Sequence, residues 1–132
     1  MDKIRVLMAD KSPKVLEDLG EFLAGKEDLN VVARVEDGLA VLDVLRANEV
    51  DVIILDLVMQ KLDGFDVLEA MQRMQLTKRP RVIALTALGR DDFIQRAISL
   101  GADYYMLKPF DYAMLAQRIR TFAGTQAEVH SE

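Results

Sequence analysis

The sequence predicts an α/β fold of five successive β–α units, in which helices cover both faces of a doubly wound, five-stranded parallel sheet. Short apolar runs alternate along the 132 residues with longer stretches of helical period, as in parallel α/β proteins. The third run, residues 52–55, is apolar at every position, which is typical of a strand covered on both faces. Right-handed crossovers between parallel strands then place helices on both sides of the sheet.

The first two units begin with predicted strands at residues 4–9 and 31–35. Ser12 and Pro13 follow the first strand and are typical of a helix N-cap and first turn. Gly25 predicts the end of that first helix. The apolar stripes of the two helices consist of Val15, Leu16, Leu19, Phe22 and Leu23 in the first, and of Leu39, Leu42 and Leu45 in the second.

The last three units begin with predicted strands at residues 52–55, 82–85 and 104–107. Asp63 predicts a turn into the third helix, and Gly101 predicts the end of the fourth helix. The stripes of these helices consist of Phe65, Leu68 and Met71, then Phe93, Ala97 and Leu100, then Leu115, Ile119 and Phe122.

Length and composition indicate one domain that works without nucleic acid or membrane contact. Helical periodicity ends near residue 122, so we expect a domain over residues 1–122 and a polar tail, or the start of a linker, over residues 123–132. A net charge of −5 argues against nucleic-acid binding through bulk charge. Neither a membrane-length apolar run nor a secretory signal is evident, which favours a cytoplasmic location. The absence of cysteine excludes disulfides and thiolate metal sites.

Chemically complementary side chains follow four of the five predicted strands. Asp10 and Lys11 follow the first strand, Asp56 the third, Thr86 the fourth and Lys108 the fifth. Ligands of open parallel sheets bind at the carboxyl ends of the strands, so we expect these groups to converge. Aspartate can accept a phosphoryl group, and lysine and hydroxyl donors can hold its oxygens. A lone aspartate would more often cap a helix or loop, but the four strand ends together favour phosphoryl chemistry.

Over residues 3 to about 122, the chain resembles the receiver domains of bacterial two-component response regulators. The resemblance rests on VLMAD in the first strand, IILDLVM in the third, LDG at residues 62–64, ALTA at residues 84–87 and LKPF at residues 107–110. It implies a flavodoxin-like (βα)5 fold with strand order 2-1-3-4-5. The segments LDLVMQKLDG, ALTALG and GADYYMLKPFD look most like the receiver domain of the sporulation master regulator.

The resemblance assigns roles to five residues of this sequence. It implies that Asp56 is the phosphoacceptor, and that the hydroxyl of Thr86 closes onto the phosphoryl group. Lys108 is expected to pair with the phosphoryl oxygens and, at rest, with the acceptor carboxylate. Tyr105 is expected to turn inward when Thr86 moves, and the bond before Pro109 is expected to be cis.

The family also implies a Mg²⁺ site, and here the sequence departs from the family pattern. Asp10, Asp56 and the backbone carbonyl of Val58 are the expected ligands, but Lys11 stands where the family has a second acidic residue. Three outcomes stay open. Lys11 points to solvent and Mg²⁺ binds weakly, Lys11 takes the place of the metal beside Asp56, or the site works normally. Gln60 replaces a usual proline, which predicts a slightly looser loop.

The resemblance implies a signalling function without turnover of a small-molecule substrate. A histidine kinase or phosphotransfer protein would supply the phosphoryl group, and the fourth helix, fifth strand and fifth helix would deliver the signal, by pairing two receivers. DNA contact would belong to an effector domain outside this sequence, with sporulation control as the output. The alternative is a pseudo-receiver, an interaction module of the same fold in which Lys11 weakens or abolishes Mg²⁺-dependent phosphorylation.

Overall fold

The structure is a computed structural model that describes the backbone of residues 2–131 and the side chains of residues 2–124. Five strands alternate with five helices in the predicted order. The elements are β1 Ile4–Ala9, α1 Pro13–Ala24, β2 Leu29–Val35, α2 Gly38–Ala47, β3 Val52–Asp56, α3 Gly64–Arg73, β4 Arg81–Thr86, α4 Asp91–Ser99, β5 Tyr104–Leu107 and α5 Tyr112–Ser131.

The five strands form one parallel sheet in the order β2-β1-β3-β4-β5, which confirms the predicted topology. The central strand β3 pairs with two neighbours, and its Ile53 lies opposite Leu7 of β1 and Val82 of β4. Every residue of β3 is buried, because helices cover both faces of the sheet. The carboxyl ends of β1, β3, β4 and β5 therefore lie at one edge.

Two hydrophobic cores lie on opposite faces of the sheet. Successive strand residues point to opposite faces, so Ile53 and Leu55 join the core beneath α2, α3 and α4, while Val52 and Ile54 join the core beneath α1 and α5. This alternation explains why the third apolar run has no polar position.

The helix boundaries follow the predicted capping residues. Ser12 accepts a hydrogen bond from the Val15 N–H at the start of α1, and Asp63 and Asp66 form a reciprocal capping box at the start of α3. Gly101 ends the α4 segment with a φ of 113°, a conformation that favours glycine. Among the described residues, no helix combines the length and the apolar character that crossing a bilayer requires.

The structure corrects two details of the sequence prediction. Leu39 is 48% exposed, whereas Val41, Leu42 and Leu45 are buried. Each helical residue turns by about 100°, so Leu39 lies on the opposite side of α2 from Val41, and the buried stripe begins two residues later than predicted. Strand β2 begins at Leu29, because its first residues pair with β1 despite the polar Asn30.

Helix α5 continues past residue 122, where the sequence predicted the end of periodic structure. The backbone of the predicted polar tail is helical through Ser131, and Glu132 lies outside the described residues. Helix-favouring residues such as Ala127 and Gln126 explain how a helix can continue without an apolar stripe. The domain boundary at residue 122, and a linker after it, remain predictions.

Candidate functional site

Two buried carboxylates form the centre of the candidate site. Asp56 is the last residue of β3 and Asp10 directly follows β1, and they are 1% and 2% exposed. Because β1 and β3 are neighbours in the sheet, the two side chains reach the same edge. Both positions are buried by the fold itself, so each carboxylate needs protein donors in place of water.

Backbone N–H groups are some of the donors that replace water around the two carboxylates. The Lys11 N–H donates to Asp56 Oδ2 at 3.3 Å, and the Val58 N–H donates to Asp56 Oδ1 at 3.1 Å. The Ser12 N–H donates to Asp10 Oδ1 at 2.9 Å. The loops after β1 and β3 therefore hold the two carboxylates in fixed orientations.

Two lysine side chains supply positive charge to these carboxylates. Lys108 Nζ lies 2.7 Å from Asp10 Oδ2 and 3.5 Å from Asp56 Oδ2, and its side chain is only 18% exposed. Lys11 Nζ lies 3.9 Å from Asp56 Oδ2, with a side chain that is 52% exposed. Lys108 thus bridges both carboxylates from within the site, and Lys11 approaches Asp56 from its solvent side.

The predicted switch residues are not turned toward Asp56. Thr86 ends β4 and is buried, and its Oγ1 accepts a hydrogen bond from the Leu88 N–H at 2.9 Å and donates to the Leu88 carbonyl at 3.3 Å. Tyr105 on β5 is 38% exposed, and its ring stacks on that of Tyr104. The Lys108–Pro109 peptide bond is cis. In this structure the Thr86 hydroxyl therefore bonds within the loop after β4, and the Tyr105 side chain points outward.

The loop after β3 is fastened to the start of α2, a feature that the sequence analysis missed. Asp37, the N-cap of α2, forms a β-bridge with Gln60 and an ion pair of 3.6 Å with Lys61. The Gly38 N–H donates to the Leu62 carbonyl at 3.1 Å. These contacts join the loop around Gln60 to the start of α2, and the expectation of a slightly looser loop remains a prediction.

Electrostatics at Asp37 follow from the same contacts. The hydrogen bond from the Ala40 N–H and the charge of Lys61 outweigh the opposing effect of burial, so the pKa of Asp37 is lowered. Lys61 adopts a φ of 66°, which is uncommon for a residue with a side chain. In the sequence, Asp37 followed by Gly38 indicates a helix cap. The pairing of Asp37 with Lys61 joins segments that are distant in sequence, so no local pattern predicts it.

A divalent cation is compatible with part of this arrangement. Mg²⁺ binds through one or two carboxylates and keeps several of its waters. Asp10 Oδ2 is buried and its partner among the described residues is the Lys108 ammonium at 2.7 Å, so a divalent cation bound there would share this oxygen with Lys108 or displace it. No cluster of three acidic or histidine side chains suited to a metal occurs among the described residues, which agrees with Lys11 standing in an acidic position. The donors fit Mg²⁺ as a two-carboxylate site.

Comparisons with known proteins identify the domain. The profile of the response regulator receiver domain matches residues 6–120. The signal receiver domain of the putative response regulator NarL from Mycobacterium tuberculosis is similar, with a TM-score of 0.87 and 28% identity over 93% of this chain and 98% of that chain.

Two further solved structures show the same similarity. The receiver domain of the Francisella response regulator 1452 has a TM-score of 0.83 and 26% identity, over 94% of this chain and 99% of that chain. A chain of the CheX-CheY-BeF3-Mg complex from Borrelia burgdorferi has a TM-score of 0.80 and 28% identity, over 91% of this chain and 89% of that chain. With its five-stranded fold and its family profile match, this chain belongs to the response regulator receiver domain family.

Proposed function

We propose that Asp56 accepts a phosphoryl group from a histidine of a kinase or phosphotransfer protein. The observation that carries the proposal is the buried Asp56 carboxylate at a strand end, with the Lys108 ammonium 3.5 Å away. A carboxylate of this kind can attack phosphorus, while the ammonium balances the charge that gathers on the phosphoryl oxygens.

The transfer is a displacement at phosphorus. An oxygen of Asp56 bonds to phosphorus, the P–N bond to the donor breaks, and an imidazole protonated at its other nitrogen leaves as neutral imidazole. Hydrolysis restores the carboxylate. Water attacks phosphorus, the bond between phosphorus and the Asp56 oxygen breaks, and a proton from the water passes to solvent, which leaves inorganic phosphate and the free carboxylate. The domain assists both steps on its own side chain and turns over no separate substrate.

Mg²⁺ is the proposed cofactor, with Asp10, Asp56 and the Val58 carbonyl as its protein ligands. When bound, it would supply positive charge to the phosphoryl oxygens. The Borrelia burgdorferi relative was solved as a complex with BeF3 and Mg, which supports such a cation here. Because Lys11 contributes a positive charge where the family has a carboxylate, we propose that Mg²⁺ binds more weakly than in the family pattern.

The proposed output follows from the exposed face of α4, β5 and α5. Ile98, Tyr105, Leu107 and Met114 are apolar or aromatic and each more than one-third exposed. We propose that inward movement of Thr86 and Tyr105 changes this face and favours pairing of two receivers. A transcriptional output through an effector domain, a role in sporulation and a cytoplasmic location rest on the sequence resemblance alone.

Intact-mass spectrometry after incubation with acetyl phosphate tests the proposal. We expect one phosphoryl adduct on the wild-type chain in MgCl₂, and no adduct on the Asp56→Asn variant. Circular dichroism would show that the variant is folded. If the folded wild-type chain forms no adduct with or without Mg²⁺, the chain acts as a pseudo-receiver and the proposal is wrong.

A further inference from the structure

Two ammonium groups lie near the same oxygen of the proposed phosphoacceptor. Lys108 Nζ lies 3.5 Å from Asp56 Oδ2, and Lys11 Nζ lies 3.9 Å from it on the solvent side. The Lys11 N–H also donates to this oxygen at 3.3 Å. Backbone and side chain of Lys11 thus both point positive charge toward the place where a phosphoryl group on Asp56 would extend.

Formal charge shows what the second lysine changes. Asp10 and Asp56 carry two negative charges, and Lys11 and Lys108 carry two positive charges, so the resting site is neutral. An aspartyl phosphate replaces one negative charge by about two, which leaves about one uncompensated negative charge. With an acidic residue in place of Lys11, the same modified site would carry about three, so the demand for a divalent cation is far smaller in this chain.

The distance between Lys11 and Asp56 is too long for a tight ion pair that would keep Asp56 from accepting a phosphoryl group. Strong charge-assisted hydrogen bonds between ammonium and carboxylate measure about 2.7–2.9 Å, as the Lys108–Asp10 pair does at 2.7 Å. Lys11 stays at 3.9 Å and keeps half of its side chain in solvent. The Lys11 ammonium can therefore attract negative charge on a group bound to Asp56, while the carboxylate stays accessible.

Neighbouring contacts keep Lys11 at the site. Its neighbour Ser12 caps α1, and the Ser12 N–H is held by Asp10 Oδ1 at 2.9 Å. Within the part of the chain that the structure describes, Asp56 is the one carboxylate in ion-pair range of Lys11. The backbone is thus fixed, and the flexible stem leaves the ammonium free to follow a group that projects from Asp56.

We propose that Lys11 is a second phosphoryl-binding cation, which lets Asp56 gain and hold its phosphoryl group with little dependence on a divalent cation. The inference rests on the proposed phosphoacceptor function of Asp56 and defines the regulation of that site. It assigns Lys11 a contact with the phosphoryl oxygens, a role beyond weakening the metal site.

Phosphorylation by acetyl phosphate in EDTA and in MgCl₂, followed by intact mass, tests the inference on four proteins. They are the wild-type chain, Lys11→Met, Lys11→Asp and the control Lys14→Met, which removes an exposed lysine paired with Asp18 on the same helix. We expect the wild type and the control to form the adduct in EDTA. Lys11→Met should form it about tenfold more slowly, the factor for one charge-assisted hydrogen bond, and Lys11→Asp should require Mg²⁺.

Amide chemical shifts give a readout that is independent of phosphorylation. In a MgCl₂ titration without phosphodonor, the amide signals of Lys11 and Val58 should respond at lower Mg²⁺ concentration in Lys11→Asp than in the wild type. The expected gain in affinity is on the order of tenfold or more. An equal midpoint in both proteins would show that Lys11 does not act on the cation site, and would contradict the inference.

Other outcomes separate this inference from the proposed function. If Lys11→Met matches the wild type in EDTA, or if the wild type needs Mg²⁺ as strictly as Lys11→Asp does, Lys11 is not a phosphoryl ligand and only the inference fails. An adduct on Lys11→Asp but none on the wild type would show that Lys11 blocks the site, which also overturns the inference. No adduct on any folded protein in either buffer would overturn the proposed function itself.

Discussion

Asp56 is held by backbone groups as much as by charge. Its two oxygens accept hydrogen bonds from the N–H groups of Lys11 and Val58, which replace the water lost on burial. The proposed phosphoryl group would have to be accommodated by the same two loops, since both Asp56 oxygens already accept hydrogen bonds from them. A substitution that removes one of these contacts is therefore expected to affect both the resting carboxylate and the proposed phosphorylated form.

The residues of the site differ in how far the sequence could predict them. The strand ends predicted the positions of Asp10, Asp56 and Lys108, because the backbone of a parallel sheet fixes where such residues lie. The resting place of the Lys11 ammonium could not be predicted, since its long stem allows many rotamers of similar energy. The pairing of Asp37 with Lys61 also escaped prediction, because it joins two loops that are distant in sequence.

Replacement of Thr86 by alanine should destabilise the loop after β4. The Thr86 hydroxyl bonds both the N–H and the carbonyl of Leu88, and a hydrogen bond of this kind contributes about 1 kcal/mol. Urea unfolding should show a loss of about that size in the free energy of unfolding. Thr86→Ser, which keeps the hydroxyl, should retain most of the stability, and a Thr86→Ser variant as unstable as Thr86→Ala would contradict this account.

At the scale of elements, carboxylates bind the strands together at the end of the sheet opposite the site. Asp51 accepts from the Arg5 N–H at 2.8 Å and from Lys78 Nζ at 2.7 Å. Asp103 likewise accepts from the Val82 N–H at 2.8 Å. These contacts join the starts of β1, β3, β4 and β5 at the end of the sheet opposite the candidate site.

Asp51→Asn should make the stability of the domain less dependent on acid pH. Burial opposes the charge of Asp51, but hydrogen bonds from Arg5 and Lys78 outweigh it and lower its pKa from 3.8 to about 2. Because the folded-state pKa is the lower one, this stabilisation is present above about pH 4 and is lost as pH falls through about 2. We expect Asp51→Asn to lose about 2 kcal/mol in the free energy of unfolding at pH 7.

Urea unfolding of both proteins between pH 7 and pH 2 measures this difference. The gap between wild type and Asp51→Asn should shrink toward zero at the acid end. A gap that stays constant across the range would contradict the assignment of the effect to the Asp51 charge.

Helix α4 is the least anchored of the first four helices. Ala97 is its one buried residue, whereas α1, α2 and α3 each bury at least four. Arg90 at its N-cap makes no side-chain capping bond. The sequence stripe of Phe93, Ala97 and Leu100 predicted a helix there, but periodicity does not report how deeply a stripe is buried. Such a helix can shift at low energetic cost, which suits the proposed role of this face in output.

At the scale of the whole molecule, one end of the sheet carries the candidate site, and the adjoining edge strand and helices carry exposed apolar side chains. The alternation of apolar runs predicted the layered fold, because a parallel sheet covered on both faces leaves few other arrangements. It could not predict the helical course of residues 123–131, since their sequence has no periodic apolar stripe. Strand β4, which ends at Thr86, pairs with the edge strand β5, which carries the exposed Tyr105 and Leu107.

Phosphorylation should shift this domain toward a dimer if that face transmits the signal. Leu107 is 46% exposed on the edge strand β5, so Leu107→Glu places a charge in the proposed interface without disturbing the core. Size-exclusion chromatography with light scattering should show dimer for the phosphorylated wild type and monomer for phosphorylated Leu107→Glu. Leu39→Glu, at an exposed site on α2, is the matched control. Dimerisation of both variants would exclude this face.

Locating the phosphoryl group by chemical trapping tests the central claim most directly. Borohydride reduces an aspartyl phosphate to homoserine, and peptide mass spectrometry then identifies the residue that changed. After incubation with acetyl phosphate, we predict homoserine at position 56 alone, and none in the Asp56→Asn variant. Conversion at a different aspartate such as Asp10, or a fully phosphorylated chain without conversion at position 56, would contradict the account.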